Sequence, residues 1–313
     1  MDVAPLYRNV TLAVASAPFV KSVISRYGWR VGVGRFVAGE DVSSAVPALL
    51  AIQQSGRRVI LDLLGEAVGS ERGARAVADE IEDCLVVTQA AGVEPYLSVK
   101  PTQLGLGVSP ELAFELADRV VRRALSLGGH VCLDMENVPF VGGTLDLYER
   151  LREAGHQGVS TVLQSYLYRT PEDLERVIER AKRYSGVTAL RLVKGAYNEA
   201  PQDAIPDVRK VEDAYRTLAF RALEAGLKLN IATHDEALLR ELLAYARGAR
   251  LGPERYEVQM LYGVRPQLQE RLTAQGHPVR VYVPFGADWY GYYSRRLAER
   301  PANLAFVVRG LFG

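Results

Sequence analysis

From Arg58 onward the chain alternates eight times between a short run rich in β-branched residues and a longer segment with helical periodicity. The short runs fall at 59–64, 96–99, 130–133, 161–163, 189–193, 228–232, 256–261 and 279–283. Consecutive parallel strands need a crossover of a dozen or more residues, and a helix is the usual crossover. A ring of eight such units leaves no unpaired strand edge, so the pattern predicts a closed (β/α)₈ TIM-like barrel, an α/β fold. The alternative is an open doubly wound sheet, but no glycine-rich phosphate loop follows any of the eight runs. Residues 112–125 and 174–184 show the amphipathic spacing expected of barrel helices, the second introduced by Thr170 as N-cap with Pro171 at N1.

The residues before the first run read differently. Leu6, Val10, Leu12, Val14, Phe19, Val20, Val23 and Ile24 recur at helical intervals, and 41–54 is a further amphipathic segment. Gly32-Val33-Gly34 lacks the third glycine of a dinucleotide loop and follows no strand, so it reads as a turn between helices. No linker rich in Pro, Gly or Ser interrupts the chain. The expected organisation is therefore an N-terminal helical segment, 1–57, packed on a catalytic barrel, 58–313.

Charge narrows the function. With 38 basic and 37 acidic residues the net charge is +1, which gives no electrostatic reason to expect nucleic acid. Cys84 and Cys132 have no metal-ligand spacing and suggest a reducing compartment. No apolar run approaches the roughly 20 residues of a membrane helix. The acidic Asp2 and the absence of a basic-then-apolar leader point to the cytoplasm.

Barrel enzymes work at the C-terminal ends of their strands. Those ends carry Asp62, Glu66, Lys100, Asp134, Glu136, Gln164, Arg191, Lys194, Thr233, His234, Gln259, Tyr262 and Tyr282, groups that hydrogen-bond or titrate rather than turn formers. His130, His156, His234 and His277 are scattered, and His234-Asp235-Glu236 lacks helical zinc-ligand spacing, so no metal is expected. Lys194 could serve as a Schiff-base lysine of an aldolase if desolvated. The same cations and amides suit an anionic cofactor, and Gly195 permits close backbone approach. Further on, Tyr292, Arg295 and Arg296 share a helical face where two guanidinium forks could grip a carboxylate. They could equally be a solvated pair neutralised by Glu299.

At Arg191-Leu192-Val193-Lys194-Gly195-Ala196-Tyr197 the chain resembles a proline dehydrogenase, the flavoenzyme that opens proline catabolism. Leu133-Asp134-Met135-Glu136, Val162-Leu163-Gln164-Ser165-Tyr166, Ala232-Thr233-His234, Gln259-Met260-Leu261-Tyr262-Gly263 and Tyr292-x-x-Arg295-Arg296 follow in that family's order. The brevity resembles the stand-alone bacterial enzymes rather than those fused to an aldehyde dehydrogenase. The resemblance implies FAD as cofactor and L-proline as substrate, with hydride passing to flavin N5 and 1-pyrroline-5-carboxylate as product. It implies a quinone acceptor, hence transient contact with the inner face of a membrane, and pyrroline-5-carboxylate dehydrogenase as pathway partner.

The family's roles carry over to the matching positions. Arg295 and Arg296 would clamp the proline carboxylate, with Lys100 completing the anion site and Tyr282 and Tyr292 walling the ring. Asp134 matches the acid beside substrate and flavin, Arg191 the arginine near flavin N5, and Tyr197 and Leu261 residues packing the pocket. Met135, Gln164, Val193, Lys194, Gly195, Thr233 and His234 match FAD contacts. Asn198 departs from relatives with tryptophan there, which alters the expected adenine contacts. Because strand eight should neighbour strand one, Glu66 is expected to pair with Arg295 as a gate over the substrate. Two readings compete with the flavoenzyme: the Lys194 aldolase, and a non-catalytic barrel that binds proline without turnover.

Overall fold

In the computed structural model, which describes Ile24 and residues 28–299, eight parallel strands close into a ring in sequence order. They are β1 (Arg58–Leu63), β2 (Tyr96–Val99), β3 (His130–Leu133), β4 (Val159–Gln164), β5 (Ala189–Val193), β6 (Lys228–Ala232), β7 (Tyr256–Leu261) and β8 (Val279–Phe285). The ring closes where β8 pairs with β1, setting Ile60 beside Tyr282 and Asp62 beside Pro284. Nine α-helices are found among the described residues. They are α1 (Val42–Gln54), α2 (Glu71–Ala90), α3 (Pro110–Ser126), α4 (Val138–Glu153), α5 (Thr170–Ala181), α6 (Val208–Glu224), α7 (Glu236–Gly248), α8 (Pro266–Ala274) and α9 (Trp289–Glu299). The (β/α)₈ barrel expected from the alternation is the observed fold.

Local chemistry sets the helix starts. Asp41 caps α1 in a capping box with Ser44, accepting from the Ser44 N–H at 2.7 Å while its own N–H donates to Ser44 Oγ at 3.1 Å. Ser109 caps α3 ahead of Pro110, and Asp235 caps α7 by accepting from the Ala237 and Leu238 N–H groups. One expectation fails at α5. Thr170 is the first helical residue, not the cap, because its hydroxyl donates to the Gln164 carbonyl at 2.5 Å and ties the helix start to the end of β4. Strand bounds also shift: β1 starts one residue earlier and ends one earlier than the pattern suggests, and β4 and β8 run longer. Gly32, at φ 117°, does sit in a turn between two 3₁₀ segments, Gly28–Val31 and Val33–Arg35. The helices expected before residue 24 lie outside the described residues.

The apolar layer lies between strands and helices. Leu97, Val99, Leu133 and Val283 meet Ile81, Leu85, Leu116 and Val120 on one side. On the other, Leu190, Leu192, Leu229 and Ile231 meet Tyr215, Leu218, Leu239 and Leu242. Two helices depart from a regular ring. The seam between β8 and β1 is covered by α1, whose Ala45, Leu49 and Ile52 join Val59, Leu61, Val281 and Phe285. Helix α9 instead buries Trp289, Tyr292, Tyr293 and Leu297, an i, i+3, i+4, i+8 face, against Val33, Phe36, Val37 and Leu64. Leu64 directly follows β1, so α9 lies toward the C-terminal pole of the barrel.

Candidate active site

Inside a barrel strand, every second side chain points to the axis. In most barrels that interior is branched and apolar. Here it is charged. Arg191 on β5, 3% exposed, reaches across the axis and its Nη1 donates to Asp134 Oδ1 at 2.6 Å and to Ser98 Oγ at 2.9 Å. Its Nε donates to Gln259 Oε1 at 2.6 Å. Asp134, just past β3, also accepts from Ser98 Oγ at 2.7 Å and, through Oδ2, from the Tyr282 hydroxyl at 2.7 Å. The Arg191 guanidinium lies 5.3 Å from the Tyr282 ring centroid. Burial, reinforced by the charges of Asp134 and Asp62, pushes the Tyr282 phenol well above its usual value. The phenol therefore keeps its proton and stays a donor. Arg191 Nη2 is different: it is buried and has no hydrogen-bond partner among the described residues.

A second tier surrounds this cluster. The Lys100 ammonium, at the end of β2, donates to Asp62 Oδ1 at 3.2 Å. Burial pulls that ammonium down, but the carboxylates of Asp62 and Asp134 outweigh it and its pKa ends above the ordinary 10.5. Burial raises the carboxyl groups of Asp62, against the attraction of Lys100, and of Glu136, against hydrogen bonds from Thr102. The Glu136 backbone carbonyl accepts from Gln164 Nε2 at 2.9 Å. His234 Nε2 accepts from the Leu261 N–H at 2.9 Å, tying the ends of β6 and β7 together. Thr233 Oγ1 accepts from the Asp235 N–H.

Lys194 is held between Glu212 Oε1 at 2.8 Å and Asp235 Oδ2 at 3.0 Å. That is the opposite of the desolvated surroundings a Schiff-base lysine needs. At Gly195, φ is 123° and a Cβ would meet the Tyr166 ring at 2.2 Å. The close approach the glycine allows is thus taken by an aromatic ring of the chain itself. Met135 is buried, while Val193 and Leu261 are half-buried at the strand ends.

On α9, Tyr292 is buried and the Arg296 guanidinium lies 5.1 Å from its ring centroid. Arg296 is half-buried and Arg295 exposed. The Tyr197 phenol, raised chiefly by burial, feels the charges of Glu136, Asp134, Arg295 and Asp62. Arg295 therefore sits within electrostatic reach of the mouth. Glu66 is also exposed, and no ion pair joins it to Arg295 in this structure. The Glu299 side chain lies outside the described residues. Among the described residues no cluster of three His, Cys, Asp or Glu side chains could hold a metal ion.

The structure thus brings Asp134, Arg191, Tyr282 and Lys100 into one connected cluster with Asp62. It adds Ser98 and Glu212, which the sequence reading did not single out. Ser98 alternates with Leu97 and Val99, and that period of two was its only signal. The cluster can orient an anionic or polar substrate against a surface that needs a hydrogen-bond donor from Arg191.

A family model described as proline dehydrogenase matches residues 45–309. The chain is 41% identical over 310 residues to the proline dehydrogenase of Deinococcus radiodurans, covering 98% of both chains. It is 35% identical over 306 residues to proline dehydrogenase 1 of Bacillus subtilis subsp. natto, covering 98% of this chain and 99% of that one. Against the bifunctional protein PutA of Escherichia coli the identity is 28%, and the match spans 24% of that longer protein. Among solved structures, proline utilization A of Bdellovibrio bacteriovorus inactivated by N-propargylglycine superposes with a TM-score of 0.81. At 23% identity it covers 89% of this chain and 33% of that one, and it supports the fold.

Proposed function

This chain belongs to the proline dehydrogenase family, and from that premise we propose that it oxidises L-proline to 1-pyrroline-5-carboxylate with FAD as resident cofactor and a quinone as electron acceptor. The observation that carries the proposal is Arg191. A buried guanidinium pinned by Asp134, Ser98 and Gln259 leaves Nη2 without a partner among the described residues. A buried donor without a partner costs about 1–3 kcal/mol, which a ring edge carrying an acceptor would recover.

The residues present fit a flavin. Arg191 Nη2 offers the unmatched donor, and Gln164, Met135, Val193, Thr233 and His234 line the strand ends around it. Lys194 and Gly195 begin the loop after β5, where an anionic tail would compete with Glu212 and Asp235 for the Lys194 ammonium. When bound, the flavin would supply a two-electron acceptor for hydride from the carbon beside the proline nitrogen. The protein's share is positioning. Arg296 and Arg295 would hold the substrate carboxylate with Lys100, Tyr292 and Tyr282 would wall the ring, and Tyr197 and Leu261 would close the pocket from water. Asp134, held by three donors, keeps Arg191 and Tyr282 in register.

Hydride departure requires a neutral proline amine, so kcat/KM should rise with pH by about tenfold per unit on its rising limb. The sign of the protein groups supports a limb without an early fall. Lys100 has its pKa raised above 10.5 and stays cationic, and Tyr282 stays protonated. A profile measured from roughly pH 6 to 10 should therefore climb and level; a falling limb below about pH 9 would contradict it.

A quinone acceptor implies contact with a membrane surface, and no helix among the described residues is long and apolar enough to cross one. That reading puts the protein in the cytoplasm or at the inner face of the membrane. The unstable product points to pyrroline-5-carboxylate dehydrogenase as its consumer. The direct test is spectroscopic. The purified protein should carry one FAD, identified after extraction, whose visible absorption bleaches on anaerobic addition of L-proline. A protein that binds no FAD when reconstituted, or whose bound FAD ignores proline, sinks the proposal.

A further inference from the structure

The charged axis does not stop at Arg191. Gln259 accepts from Arg191 Nε with its Oε1, and its Nε2 donates to Glu257 Oε1 at 2.9 Å. Glu257 Oε1 also accepts from Arg280 Nε at 2.7 Å, and Arg280 is fixed in turn by the Val59 carbonyl at 2.7 Å and Glu94 Oε2 at 2.8 Å. Arg191, Gln259, Glu257 and Arg280 are each 2–3% exposed. Burial pushes the Glu257 carboxyl up, but Arg280 outweighs it and the group stays below its ordinary value. A carboxylate only accepts, so it dictates the polarity of the amide above it. Gln259 must turn its NH₂ toward Glu257 and its C=O toward Arg191.

We propose that Gln259 is a positioning residue: with its amide polarity fixed by the Glu257–Arg280 pair, it holds Arg191 so that Nη2 is the edge presented to the cofactor. The inference rests on the flavin reading above and extends it to residues that touch neither substrate nor cofactor. Arg191 has five N–H bonds in a rigid fork. With Nε on Gln259 and Nη1 shared by Ser98 and Asp134, only the Nη2 edge is left. Without the Gln259 carbonyl, nothing on the β7 side fixes the rotation of the guanidinium. The order amide-then-acid also keeps the negative charge of Glu257 one residue layer away from the cofactor.

Two variants test this in the flavin-loaded protein. Gln259→Met keeps the volume and removes the acceptor, and kcat should fall at least tenfold while KM for proline stays within about threefold. Exchanging the pair, Gln259→Glu with Glu257→Gln, retains one acid and one amide but moves the charge next to Arg191. The equilibrium between oxidised and reduced flavin should then shift at least tenfold toward oxidised, a fall in midpoint potential of about 30 mV for a two-electron couple. A structural role alone predicts an unchanged potential. If wild-type protein bleaches with proline but the exchange keeps its potential, this inference falls and the function stands. If wild type binds no flavin, both fall. Should Gln259→Met not fold, the exchange carries the test. An exchange that does not fold also overturns the inference, because the Glu257–Arg280 pair would then serve the fold.

Discussion

Replacing Arg191 by Met lowers the rate of flavin reduction by proline about a hundred- to a thousandfold, the cost of removing a preorganised donor from a water-poor site. Met retains the apolar stem of the arginine but ends where Nε stood, so the stem stays packed while every polar contact is lost. Asp134 loses the cation 2.6 Å away and keeps only the hydroxyl donors of Ser98 and Tyr282. Breaking a buried pair by removing one partner costs about 3–5 kcal/mol, and the 15% exposure of the Asp134 side chain favours the lower end. Denaturation of flavin-free protein measures that cost apart from rapid-mixing kinetics of the loaded enzyme. Arg191→Lys should recover more stability than rate, because an ammonium restores the charge but not the fork. Reduction within tenfold of wild type in Arg191→Met would mean that Arg191 serves the fold and not the reaction.

Most of the barrel was legible because each strand is a short β-branched run followed by amphipathic helix, and that alternation has few other solutions. The strand ends blurred where a polar residue or a proline continues a strand: Gln164 closes β4, and Pro284 carries β8 on to Phe285. Asp134, Arg191, Lys100 and Tyr282 were legible as a polar rim, since turn formers are what a purely structural mouth would show. Glu212 was not. It pairs with Lys194 from within α6, and nothing in a helix-face glutamate marks which loop lies above it. The seat of α9 was equally hidden. Its apolar face is readable, but its partners Val33, Phe36 and Leu64 come from segments more than 200 residues away. Distance in sequence erases the cue that local periodicity supplies, and α1 covering the β8–β1 seam follows from the same long-range packing. Arg280 and Glu257 carry no such cue, because each is the second residue of its strand, inside the barrel near its N-terminal pole, where an apolar interior is the default.

That seat determines how the two arginines of α9 differ. Arg296 is half-buried with its guanidinium over the Tyr292 ring, whereas Arg295 is exposed. A contact desolvated on one side is worth more than one open to water, so the clamp should be unequal. Arg296→Ala is expected to weaken proline binding by about 2–5 kcal/mol, thirtyfold or more. Arg295→Ala should cost about 1 kcal/mol or less if solvent screens it. The loss should appear in KM more than in kcat, because the carboxylate is gripped alike before and during reaction. Arg296→Lys should fall between, retaining charge and losing the bidentate geometry. Pyrrolidine, which is proline without its carboxylate, isolates the contact. Arg296→Ala should leave pyrrolidine binding, measured by perturbation of the flavin spectrum, within about twofold of wild type. If the variant weakens pyrrolidine as much as proline, Arg296 shapes the pocket through Tyr292 and the carboxylate is held elsewhere.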